Sequence, residues 1–127
     1  MRKFFEIEVE QTFSAAHRLR GSGAKCENLH GHNWSVVAVV RGERLDRLGM
    51  VMDFQALKRA LLDVLEELDH RNLNALPAFG KVNPSAENIA RFVYDRLAKK
   101  IVARGVRLVR IRVAESTGCW ATYGRQG

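Results

Sequence analysis

Phe5, Ile7 and Val9 alternate with Glu6, Glu8 and Glu10. A period of two belongs to a strand with one buried face, so residues 4–13 are predicted to form the first strand. Residues 18–28 carry two glycines and read as a loop. A second strand is predicted over 32–41, ended by Gly42. A polar turn over 43–49 leads into a short extended piece at 50–52. The period then changes. Phe54, Leu57, Leu61, Leu65 and Leu68 recur at helical spacing behind Asp53, a good N-cap, which predicts a helix over 53–70 with one apolar face. The stretch 71–84 holds both prolines and reads as a loop. Ser85 caps a second predicted helix with Ile89, Phe92, Val93, Leu97 and Ile101 on its apolar side, stopped by Gly105. Alternation returns over 106–114, with Val109, Ile111 and Val113 on one face and Arg110 and Arg112 on the other. After a turn at 116–118, a last strand is predicted over 119–124.

The order ββααββ, without repeats or linkers, predicts a single α+β domain over 1–127. Two helices covering one face of an antiparallel sheet is the expected arrangement. The other face carries glutamates from the first strand and arginines from the third long one. Opposite charges across strands are favourable, and open sheet edges invite pairing, so this face and these edges point to assembly with further copies of the chain.

Composition narrows the class. The chain has 127 residues, 46% apolar and 28% charged, which suits one ordinary globular domain. No apolar run approaches membrane-spanning length, and the N-terminus lacks the apolar core of a secretion signal. A cytoplasmic location is expected, where Cys26 and Cys119 remain free thiols. A net charge of +7 favours an anionic partner. The basic residues form no dense run and are not interleaved with aromatics in base-stacking units. A small phosphorylated molecule or a merely solvated basic surface is therefore preferred to nucleic acid.

The chemistry concentrates in "CENLHGHNW", residues 26–34, which holds half of the four histidines and half of the two cysteines. On a strand, His30 and His32 project to one side. His17, just beyond the first predicted strand, has the parity of its apolar residues and falls near that pair if strands one and two form a hairpin. Three converging imidazoles match a catalytic zinc site that keeps a fourth position open. Cys26 has two readings: a fourth ligand, or a thiolate base beside an open site with Lys25 and the dication lowering its pKa. Asp69 and His70 end the first predicted helix, where the carboxylate can reach the ring and a second proton-transfer group can form. Glu115 continues the parity of Val113 toward the covered side of the sheet, where a carboxylate needs donors.

The set "FSAAHRL", "CENLHGHNW", "GMVMDF", "LDHRNLN", "NPSAENIA" and "ESTGCWATY" resembles the 6-pyruvoyltetrahydropterin synthase / 6-carboxytetrahydropterin synthase family over nearly the whole chain. The resemblance implies the tunnelling fold, in which subunits join their sheets into a trimeric barrel and two trimers stack. It implies His17, His30 and His32 as zinc ligands, Cys26 as the proton-abstracting base and Asp69 with His70 as its relay. It implies Glu115 as the anchor of the pterin ring and Glu87 as a pterin contact from a neighbouring subunit. Ser85 and Ser116 stand where threonine is commoner. The three residues between Cys26 and His30 are similar to the spacing of carboxytetrahydropterin synthases of queuosine precursor synthesis. The implied reaction converts 7,8-dihydroneopterin triphosphate to 6-carboxy-5,6,7,8-tetrahydropterin, acetaldehyde and triphosphate. Two other readings compete: triphosphate elimination to the pyruvoyl product, and a non-catalytic zinc or nucleic-acid-binding module with Cys26 as a ligand.

Overall fold

The computed structural model describes residues 2–126. Its long elements follow the predicted order. Strand β1 (Phe5–His17) and strand β2 (His30–Gly42) form an antiparallel pair. Helix α1 (Phe54–Leu65) follows, then a short strand β3 (Arg71–Asn72), helix α2 (Ala86–Ala98), and strands β4 (Val106–Ser116) and β5 (Cys119–Gly124). The sheet order is β3-β1-β2-β4-β5. All long neighbours are antiparallel, whereas β3 lies parallel to β1 through Ala15 and Ala16.

Both helices cover one sheet face. Leu57, Leu61, Val64 and Leu65 of α1 and Ile89, Val93 and Leu97 of α2 are buried against Val9, Phe13, Trp34, Val36, Ala38, Ile111 and Val113. Each such aliphatic side chain withdrawn from water contributes about 1.5–3 kcal/mol before conformational entropy is set against it. The predicted caps form: Asp53 accepts from the Gln55 amide at 2.8 Å and Ser85 from the Asn88 amide at 3.2 Å.

Several boundaries differ from the sequence reading. Strand β1 runs four residues further, so His17 lies within it, and β2 starts at His30 rather than 32. Helix α1 ends at Leu65; residues 66–70 form turns, and His70 adopts a left-handed φ of 59°. Residues 51–52 bend rather than extend. Helix α2 ends at Ala98, well before Gly105, whose φ of 76° serves the turn into β4. Phe54 is exposed. The loop 71–84 contains β3 and two one-turn 3-10 helices, Leu73–Ala75 and Pro77–Phe79.

Val109 does not share a face with Ile111 and Val113. A β-bulge shifts the β2–β4 register between Val39 and Val40, so Val39 pairs with Arg110 and Val40 with Leu108. The extra residue flips the alternation. Leu108 joins the main core, and Val109 joins Val37 and Val39 on the opposite face. That face is also the charged one: Glu6 holds Arg41 at 2.6 Å and Arg110 at 3.3 Å. Burial would raise the Glu6 pKa, but these guanidiniums outweigh it and hold the carboxyl below its ordinary range.

Candidate active site

The hairpin register brings three histidines together. His17 lies directly opposite His30, and Ala15 opposite His32. Side chains two apart on β2 share a face, so all three rings converge where the sheet leaves the main core. Ring centroids are 4.6 Å (His17 to His30), 5.2 Å (His17 to His32) and 4.8 Å (His30 to His32) apart. Trp34 forms the floor. It is fully buried, donates from Nε1 to the Ala15 carbonyl at 3.2 Å, and meets His17 and His32 edge-on.

Two backbone carbonyls orient the rings. His17 Nδ1 lies 2.7 Å from the Pro84 carbonyl and His30 Nδ1 2.7 Å from the Asn28 carbonyl. A carbonyl only accepts, so each Nδ1 carries the proton and each Nε2 presents a lone pair. Glu115 completes the cluster. Its Oε1 is 3.0 Å from His32 Nε2 and its Oε2 3.9 Å from His17 Nε2. One donor atom from each of His17, His30, His32 and Glu115 lies within 4.8 Å of the others. Nε2 of His17 and of His32 is nevertheless buried without an aligned hydrogen-bond partner. An unpaired buried nitrogen is costly, and a cation at this point would satisfy both. The donor set, the carbonyls that orient the rings and the orphaned nitrogens thus fit a bound metal ion. Burial pushes the His17 pKa below the ordinary histidine range, against the opposing pull of the Pro84 carbonyl and Glu115.

The remaining predicted residues lie outside this cluster. Cys26 is exposed on a 3-10 turn, Lys25–Glu27, and its thiol is not among the converging donors. The turn is tied to the end of β1, because the Leu19 amide donates to the Cys26 carbonyl at 2.6 Å. Asp69 and His70 do form a pair, with Asp69 Oδ1 at 3.0 Å from His70 Nδ1. They dock on the outer edge of β1, where Ser14 donates its amide to Asp69 at 2.9 Å and accepts from the His70 amide. That amide bond, foremost, holds the Asp69 carboxyl below its ordinary pKa. Ser14 also borders a shallow hollow of about 270 Å³ with Ala15, Gly31, His32 and Asn33. The Asp69–His70 pair and the histidine cluster therefore meet the same stretch of β1. Glu115 lies on the covered side of the sheet, as its parity with Val113 predicts, against His17 and His32. A register shift between Ala114 and Ser116 leaves it unpaired with β5. Glu87 is exposed in the first turn of α2, three residues after the Pro84 carbonyl that orients His17.

Sequence reasoning did not find the groups that hold these residues. Arg20 donates to the carbonyls of Phe79 (2.6 Å), Val82 (2.7 Å) and Gly80 (3.3 Å). Asn83 joins the Arg20 backbone at both its N–H and its carbonyl. This latch fixes the segment that delivers the Pro84 carbonyl. The run of asparagines at 72, 74, 83 and 88 was the available signal, since asparagine side chains commonly organise loops.

Fold and site together define an α+β protein whose histidine–carboxylate centre has the donor set of a metal site. The chain belongs to the 6-pyruvoyl tetrahydropterin synthase family, whose model matches residues 6–126. Among its relatives is an Archaeoglobus fulgidus protein with the provisional name 6-carboxy-5,6,7,8-tetrahydropterin synthase. It is 38% identical over 119 residues, covering 94% of this chain and 95% of that one. A Pyrococcus furiosus dihydroneopterin monophosphate aldolase is 40% identical over 109 residues, covering 86% and 88%. The solved Caenorhabditis elegans 6-pyruvoyl tetrahydropterin synthase superposes with a TM-score of 0.86 at 29% identity, covering 98% of each chain. No helix among the described residues is long and apolar enough to cross a membrane.

Proposed function

We propose that this chain is a zinc-dependent lyase, 6-carboxy-5,6,7,8-tetrahydropterin synthase, which converts 7,8-dihydroneopterin triphosphate to 6-carboxytetrahydropterin, acetaldehyde and triphosphate for queuosine precursor synthesis in the cytoplasm. The observation that carries this reading is the convergence of His17, His30 and His32 with two buried, unpartnered Nε2 atoms. These imidazoles would hold Zn²⁺, which supplies Lewis-acid polarisation of substrate oxygens. Cys26, outside the donor set and free, is left to take a proton as thiolate. His70, aligned by Asp69 at 3.0 Å, exchanges protons with substrate or solvent. Its left-handed backbone supports a functional role, because such strain persists only where the surroundings enforce it. Glu115 binds the pterin's N–H edge through two acceptor oxygens. The outer edge of β1 ahead of Ser14, which β3 does not cover, and the outer edge of β5 support closure into a trimeric barrel, or a dimer of trimers, in which Glu87 reaches a neighbouring subunit's site.

A second reading keeps the site and changes the substrate. The likeness to the Pyrococcus furiosus aldolase favours retro-aldol cleavage of dihydroneopterin monophosphate as the alternative. Elimination to 6-pyruvoyltetrahydropterin is the third outcome. Mass spectrometry of products from the triphosphate and the monophosphate, each incubated with zinc-loaded protein, separates the three. The carboxy product with acetaldehyde supports the proposal. A hydroxymethyl product from the monophosphate alone, or the pyruvoyl product, replaces it.

A further inference from the structure

A second concavity lies at the other end of the sheet. It encloses about 980 Å³ between the segment before β1, the β2 terminus and the turn into β4. His30 and Arg41 lie eleven residues apart on β2, which at about 3.3 Å per residue puts it roughly 35 Å from the histidine cluster. Its charge is one-sided. Six of its eleven lining residues are arginine or lysine, against one carboxylate, Glu43. Arg41 is neutralised by Glu6 at 2.6 Å and stacked 4.0 Å from the Phe4 ring centroid. Arg2 reaches Glu43 only at 3.7 Å. Among the described residues, Lys3, Arg44, Arg104 and Arg107 have no carboxylate within 4.0 Å.

The register sets two guanidiniums side by side here, of which only Arg41 is paired with a carboxylate. Arg41 and Arg107 are directly paired across β2 and β4, and like charges in that position repel. Gly105, with a left-handed φ of 76°, turns the chain between Arg104 and Arg107 so that both line the cleft. A concave wall of one sign focuses its field inward. Guanidiniums bind phosphate oxygens in a bidentate fork. We infer that this cleft binds an oligophosphate, with Lys3, Arg44, Arg104 and Arg107 as its ligands, as a site separate from the histidine centre. Its walls suit one compact polyanion better than a strand of nucleic acid, because the cations ring a hollow rather than follow a line. The inference does not depend on the metal or on pterin turnover.

Titration calorimetry of the full chain with sodium triphosphate tests it. The Arg44→Gln/Arg104→Gln/Arg107→Gln variant is expected to bind at least tenfold more weakly. A charge-matched control, Lys58→Gln/Arg59→Gln/Lys99→Gln, is expected to bind like wild type. Should the triple variant not fold, exposed Arg44→Gln and Arg104→Gln singly are each expected to weaken binding at least threefold. ATP in place of triphosphate identifies the source: comparable affinity means an inorganic oligophosphate, and clearly tighter affinity means a nucleotide. The inference is overturned if wild type does not bind triphosphate at millimolar concentration. It is also overturned if the charge-matched control weakens binding as much as the triple variant.

Discussion

Arg20 touches no histidine, yet Arg20→Met is expected to weaken zinc binding. Its guanidinium donates four side-chain bonds, to the carbonyls of Phe79, Gly80 and Val82 and to the Asn83 side chain. The bonds to Gly80 and Val82 are solvent-exposed, and water can replace them. The bonds to Phe79 and Asn83 are half-buried, and at about 1.5 kcal/mol each, the low end for a charged donor, their loss costs about 3 kcal/mol of stability. The backbone bonds between Arg20 and Asn83 survive the substitution, so the segment loosens rather than detaches. What loosens is the Pro84 carbonyl, the partner that orients His17 at 2.7 Å. Loss of such an outer partner typically costs 10–100-fold in metal affinity. Arg20 acts one step further out, so about tenfold is expected, equal to about 1.4 kcal/mol. Arg20→Lys should not rescue it, because an ammonium cannot span several carbonyls as a planar fork does. Competition with a chromogenic chelator gives the zinc affinity, and thermal unfolding in EDTA gives the stability. A variant with reduced Tm and zinc affinity within twofold of wild type would refute the positioning role.

Other outcomes follow from the same geometry. Glu115→Gln replaces an acceptor with a donor facing the pterin's own donors, so pterin affinity should fall at least about tenfold with zinc content unchanged; loss of zinc instead would make Glu115 a ligand. The buried neutral His17 has a folded-state pKa below the ordinary 6.5. The unfolded chain therefore takes up a proton first on acidification. Metal-free protein should lose stability as pH falls below about 6.5, and His17→Gln should lose most of that slope in denaturant titrations across pH 5–8; an unchanged slope would contradict the assignment. Light scattering at micromolar concentration should give a trimer or hexamer, and a monomer would contradict the barrel assembly.

The long elements were legible because each had a period. Glu6 to Val9 alternates without interruption, and the leucines of α1 keep a helical spacing that tertiary contacts did not override. The failures are where a single residue or a distant partner decides. Val109 looked inward because the alternation of β4 runs straight through it, and only the pairing with β2 shows the bulge. Strand β3 is two residues long and leaves no periodic trace. Helix α1 ends at Leu65 although the leucine spacing continues to Leu68, because Ser14, 55 residues away, captures Asp69. The histidine cluster was legible from parity alone, since His30 and His32 share a strand and a hairpin partner supplies His17. Its supports were not. Pro84 and Asn28 act through their backbone carbonyls, which carry no signature in residue type, and Arg20 through a guanidinium whose distant partners are carbonyls too.

A three-imidazole metal centre with Cys26 outside it as a free thiol makes a direct prediction of zinc stoichiometry. Inductively coupled plasma mass spectrometry on protein purified without chelators should find one zinc per chain in wild type and in Cys26→Ala, and essentially none in His30→Ala. Turnover of Cys26→Ala should fall by about 10²–10⁴-fold despite full zinc. Zinc retained by His30→Ala, or lost from Cys26→Ala, would contradict the prediction.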